Sequence, residues 1–89
     1  MSIKVTINTN EHLPDGTPLV RSHTINGSVT LDGAPYPDVY IEIIEPDIND
    51  IGTGNADGRG NFSIQVHDDT LHHVWIDGQD VQLVKVLTR

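Results

Sequence analysis

Residues 39 to 44 place Val39, Ile41 and Ile43 on one side of the chain and Tyr40, Glu42 and Ile44 on the other. This period of two belongs to a strand with one buried face, and it returns along most of the sequence. Ile3, Val5 and Ile7 alternate with Lys4, Thr6 and Asn8; Phe62, Ile64 and Val66 alternate with Asn61, Ser63 and Gln65; Val74 and Ile76 alternate with His73, Trp75 and Asp77. Between His23 and Leu31 the inward set is Ile25, Val29 and Leu31, with Gly27 where a bulge or a close backbone approach belongs. Val81, Leu83, Val84 and Val86 supply a last strand. No window carries apolar residues at i, i+3, i+4 and i+7 over three turns, so the pattern predicts no α-helix. Six or seven short strands then mean an all-β sandwich or a small barrel. The expected core is Ile25, Val29, Val39, Ile41, Ile43, Phe62, Ile64, Val74, Ile76, Val81 and Leu83.

Turn-forming residues separate these runs. Residues 9 to 19, "TNEHLPDGTPL", hold two prolines and an Asp-Gly pair and read as a long loop. Asp32-Gly33 and Asp77-Gly78 are hairpin signals, because the type I′ two-residue hairpin needs positive φ at both central positions, which Asp-Gly adopts readily. Pro35 and Pro37 cannot donate to a ladder and confine their stretch to an edge or a crossing. Pro46 ends the strand before it, and most of residues 47 to 60 reads as a wide hairpin connection. One domain is expected over residues 1–89, with residues 1–19 as an N-terminal strand and contact loop that could be deleted without unfolding the rest.

Eighty-nine residues leave room for a single core and no deep cleft. With no cysteine, the chain has neither disulfides nor a thiolate zinc site. Thirteen carboxylates against five Lys and Arg give a net charge of −8, which repels nucleic acid and anionic membranes. The opening "MSIKVTINTN" alternates and so reads as neither a signal peptide nor a membrane span. A cytoplasmic origin is expected from that.

The stretch "INGSVTLDGAPYPDVYIEI", residues 25 to 43, and the later "NADGRGNFSIQV" resemble the carboxypeptidase-regulatory-like, transthyretin-related family of immunoglobulin-like sandwiches. Gly27, Val29, Gly33, Pro35, Val39 and Ile41 fill the first half of the family pattern; Asp57, Gly58, Phe62 and Ile64 fill the second. The resemblance implies an Ig-like, prealbumin-like sandwich. Apart from the family, Gly33 and Gly58 permit positive φ in tight turns, and Phe62 and Ile41 are expected to plug the core from opposite sheets. On function the resemblance is almost silent, because this fold carries adhesion, spacer and sugar-binding roles alike.

Three groups of side chains invite chemistry. Asp47, Asn49, Asp50, Asn55 and Asp57 could offer oxygens to calcium, but their spacing is not that of an EF-hand and turn chemistry explains the same residues. His67, His72 and His73 with Asp68 and Asp69 resemble transition-metal ligands, yet adjacent His72 and His73 point to opposite faces of a strand. Surface histidines at strand ends are the expectation there. Ser28 and Ser63 lie mid-strand without a nucleophile elbow, and Glu42 and Glu45 lack a cleft to frame them. No catalytic residue, metal or cofactor is expected.

Trp75 points outward if Val74 and Ile76 face the core, and in the other register it is the core tryptophan. With one Trp, one Phe and two Tyr in the chain, the core register is favoured, since a small sandwich needs its aromatics inside. For contact with a partner the expected residues are Ile3, Val5, Ile7, His12 and Leu13, with Trp75 added if it faces outward. The functional expectation is a non-enzymatic structural module of a virion, a capsid decoration or tail-associated protein, bound to a capsid or tail protein or to further copies of itself. The alternative is a small carbohydrate- or cell-surface-binding module in which Trp75 and Tyr36 or Tyr40 stack on sugar rings.

Overall fold

The computed structural model describes residues 1–45 and 50–89. It contains ten strands in chain order: β1 (Ile3–Ile7), β2 (Glu11–His12), β3 (Pro18–Val20), β4 (Thr24–Leu31), β5 (Ala34–Pro35), β6 (Tyr40–Glu45), β7 (Asp50–Asn55), β8 (Asn61–Gln65), β9 (Leu71–Ile76) and β10 (Gln79–Val86). No helix occurs among the described residues, and so none is long and apolar enough to cross a membrane. The strands form two sheets, as the alternation predicts.

In the first sheet β4 is central. Its residues 27 to 31 pair with β1, while its other edge is shared between β8, opposite residues 24 to 28, and β5, opposite residues 30 and 31. The handover falls at Val29. Its N–H donates to the Gly60 carbonyl at 2.8 Å and its carbonyl accepts from the Tyr36 N–H at 3.0 Å. Pro35 therefore sits on a two-residue edge strand, where its missing donor costs no ladder bond. The second sheet runs β2-β3-β10-β9-β6-β7 and is antiparallel except for the β3–β10 pair.

Apolar side chains from both sheets meet in one core. Ile25, Val29, Ile41, Ile43, Val74 and Ile76 are fully enclosed, and Phe62 reaches them from β8. Phe62 lies directly over Gly27, its partner across the β4–β8 pair. A β-carbon on Gly27 would stand 2.7 Å from the Phe62 ring and 2.5 Å from the Thr6 carbonyl oxygen, so the close approach expected from sequence is real.

Four expectations need correction. Residues 9 to 19 are not one long loop: β2 and β3 form a hairpin at the edge of the second sheet, closed by the Leu13 N–H on the Thr17 carbonyl and the Gly16 N–H on the Leu13 carbonyl. Residues 50 to 55, assigned to a connection because of their glycines, form β7. Gly52 is required there, since a β-carbon would lie 2.5 Å from the Gln65 carbonyl oxygen on β8. In the last strand a register shift between Asp80 and Gln82 turns Val84 and Val86 inward, where they are fully buried, and leaves Leu83 outward and Val81 only partly covered. A single extra residue inverts which side chains face the core downstream of it. Positive φ falls at Gly60 (80°), not at Gly58, because the turn that begins at Asp57 closes at Gly60, whose N–H donates to the Asp57 carbonyl at 3.1 Å.

Both Asp-Gly hairpins form as expected, with φ of 52° and 87° at Asp32 and Gly33 and 51° and 75° at Asp77 and Gly78. The C-terminus is pinned by Asp69, whose carboxylate accepts from the Thr88 N–H (3.0 Å), the Thr88 hydroxyl (2.8 Å) and His23 Nε2 (2.7 Å). The Thr88 bonds, with His23, hold its pKa down from 3.8 to about 2. A depressed carboxyl contributes stability that is present above the unfolded pKa and is lost as pH falls through the folded one. The melting temperature of wild type should therefore exceed that of Asp69→Asn above pH 4, and the gap should shrink between pH 4 and pH 2. A gap that stays constant over that window would contradict the pin.

Candidate functional site

The outward side chains of the second sheet can be read from its register. Strands β7, β6, β9 and β10 set Ile51, Ile44, His73 and Leu83 in one row. The next row is Thr53, Glu42, Trp75 and Asp80. Tyr40 lies beyond it on β6, opposite Asn55, and Leu71 lies on the other side, opposite Lys85. Tyr40 is 50% exposed, Ile51 45% and Leu71 37%, the largest exposures of big apolar side chains after Met1; Ile44, Trp75 and Leu83 are half-buried. An apolar band thus crosses four strands on the solvent face. Contiguous exposed apolar surface of this kind marks contact sites more often than chance does.

Trp75 corrects the favoured core placement. Its register neighbours Val74 and Ile76 are fully enclosed, so the alternation turns its indole to the outer face. The core is filled instead by aliphatic residues and Phe62, which is why a second inward aromatic is not needed.

The other contact candidates do not gather around it. Val5 and Ile7 are buried between the sheets, and Ile3 packs against the same core, because the odd positions of β1 face inward. Their side chains are removed from any contact surface of the folded domain. His12 is exposed on β2 and Leu13 half-buried in the β2–β3 turn, at the opposite edge of the second sheet from β7. Tyr36 donates its hydroxyl to Asp77 at 2.8 Å and packs on the core, which occupies the ring; Tyr40 remains open.

The histidines separate as strand geometry requires. His72 points inward and His73 outward. His72 is not a surface residue: it is 1% exposed, its Nδ1–H donates to the Thr70 carbonyl at 2.9 Å, and its Nε2 lies 3.8 Å from Glu45 Oε2. Sequence reasoning missed this buried pair. The available signal was the phase of the alternation, which places His72 and Glu45 on the inward side together with Val74 and Ile43. His73 Nδ1 contacts Asp80 Oδ2 at 2.6 Å, beside a surface groove of about 510 Å³ bordered by Asp15, Thr17, Gln82 and Leu83.

Of the acidic-loop candidates, Asp47 and Asn49 and the side chain of Asp50 lie outside the described residues. Asn55 donates to the Asp38 carbonyl at 3.2 Å, and Asp57 accepts from the Arg59 and Asn61 N–H groups, which holds its pKa below the usual carboxylate range. Asp57 thus acts within its own turn, and Asn55 ties the end of β7 to the segment before β6. Among the described residues no three His, Asp or Glu side chains converge as metal ligands. Ser28 and Ser63 lie on β4 and β8, where their cross-strand neighbours are Thr6, Asn61 and Asn26, with no base beside them. Glu42 and Glu45 project to opposite faces of β6. No family model, curated protein or solved structure matches the chain.

Proposed function

We propose that this protein is a non-enzymatic interaction module, an Ig-like sandwich of the prealbumin type, that docks onto a larger protein assembly through the outer face of its second sheet. One observation carries the reading. On a chain with a net charge of −8, the face formed by β7, β6, β9 and β10 carries Ile51, Ile44, Leu71, Leu83, Tyr40 and Trp75 toward solvent. Aromatic and aliphatic residues at a protein surface supply most of the energy of association when a partner covers them. The sandwich type rests on the match of residues 25 to 66 to the family pattern. The assembly expected from sequence is a virion, with a capsid or tail protein as the surface bound.

A stable contact buries roughly 1,200 to 2,000 Å² in total, so the partner must cover most of this face. Trp75→Ala combined with Ile51→Ser changes only outward side chains. The double variant should keep a cooperative melt yet lose co-sedimentation with the particle that the wild type binds. Retained co-sedimentation would remove the face from the contact. Glycan binding lost on Trp75→Ala, with no particle bound, would replace the reading with a sugar-binding one, for which the shared outward position of Trp75 and Tyr40 is the supporting feature.

A further inference from the structure

The row that contains Trp75 has a chemistry of its own. Glu42 stands opposite Trp75 on β6, and Asp80 stands opposite it on β10. All three side chains leave the sheet on the outer face. An indole is thereby bracketed by a carboxylate on either side at cross-strand range, about 4.5 to 5.5 Å between β-carbons. Among the described residues Glu42 forms no ion pair, and Asp80 has only the neutral-or-charged ring of His73 on one of its two oxygens. The basic side chains of the chain lie elsewhere. Lys4 is on the outer face of the first sheet, Arg59 is in the β7–β8 turn, Arg21 is held by Glu11, and Arg89 is 4.0 Å from Asp69. Lys85 shares the face but is opposite Leu71, two rows from the indole.

The distribution of charge points the same way. Strands β1, β4 and β8 of the first sheet contain no Asp or Glu, so the negative charge that a partner meets is concentrated on the second sheet and the loops. An aromatic face between two carboxylates in an apolar surround attracts a cation that can be partly desolvated. A guanidinium fits better than an ammonium. It is planar, weakly hydrated, stacks on indole, and presents N–H groups along its edges to two carboxylates at once.

Building on the docking role of this face, we infer that its partner is a protein surface presenting an arginine between apolar side chains. The guanidinium lies on Trp75 between Glu42 and Asp80, and the apolar neighbours cover Ile44, Ile51 and Leu83. The groove beside Asp80, walled partly by Val81 and Leu83, gives the aliphatic stem of the arginine room to enter from the β10 side.

The probe is a capped Leu-Arg-Leu peptide titrated into the isotope-labelled full chain, with the citrulline and lysine versions as comparisons and the Trp75 indole N–H resonance as readout. The arginine peptide should shift that resonance and bind about tenfold more tightly than the uncharged citrulline peptide, with the difference shrinking in high salt. Glu42→Gln with Asp80→Asn should erase the difference and leave citrulline binding unchanged; Glu42→Gln alone should remove part of it. Equal binding of arginine and citrulline peptides would overturn the cation site while leaving the docking face to its own co-sedimentation test. Lysine binding as tightly as arginine would overturn the guanidinium assignment, and shifts confined to residues away from Trp75 would overturn the placement.

Discussion

Deletion of residues 1–19 is expected to unfold the protein. This segment supplies β1, the hairpin strand β2 and the start of β3, and with them the buried side chains of Val5, Ile7 and Leu19. Each such side chain contributes about 1.5 to 3 kcal/mol by burial, so the three together approach the roughly 5 to 15 kcal/mol of a whole domain's stability. The loss also strips the neighbour from the long edge of β4. The truncated chain should give a collapsed amide spectrum and no cooperative thermal transition. A dispersed spectrum with a cooperative melt would show that the first nineteen residues are separable after all.

Ile41→Ala and Phe62→Ala are each expected to destabilise the domain by about 2 to 5 kcal/mol, through lost burial and the cavity left behind. Ile41 is 0% exposed and Phe62 5% exposed, on opposite sheets of one cluster. Phe62 lies against Gly27, which has no side chain to move into the volume the ring would leave. Chemical denaturation should show lower midpoints with an unchanged slope. A midpoint shift under about 0.5 kcal/mol for Ile41→Ala would mean that the inward face of β6 has been misassigned. By comparison, the outward substitutions at Glu42, Ile51, Trp75 and Asp80 should change stability little, which makes them usable as binding probes.

What could be read from sequence depended on the distance over which each signal acts. The alternation of Val39, Ile41 and Ile43 needs no partner to be recognised, and neither does the left-handed backbone of Asp32-Gly33 and Asp77-Gly78. The all-β class, both of these hairpins and most of the core follow from them. The strand β7 was hidden because its inward positions, Gly52 and Gly54, are small to admit β8, and a glycine chosen for a close approach looks locally like a turn residue. The hairpin of β2 and β3 was hidden because β3 pairs with β10 across more than sixty residues of chain and β2 pairs with β3 in turn.

The docking face shows the same division. That Trp75 alternates with Val74 and Ile76 is a property of the sequence, and it restricts the indole to one of two sides. Which side is inward was settled only when β9 paired between β6 and β10, because the free energy of burying Val74, Ile76, Ile41 and Ile43 together exceeds that of burying one tryptophan. The bulge at residues 80 to 82 then decided that Leu83 joins Ile44 and Ile51 on the surface, and the pairing registers set Glu42 and Asp80 on either side of the ring. The sequence by itself determined the strand period, the turns and the side-chain chemistry available. The assignment of each face to core or solvent, and the meeting of residues 42, 75 and 80 in one row, came from tertiary structure, because a strand of period two has two equivalent faces until another sheet covers one of them.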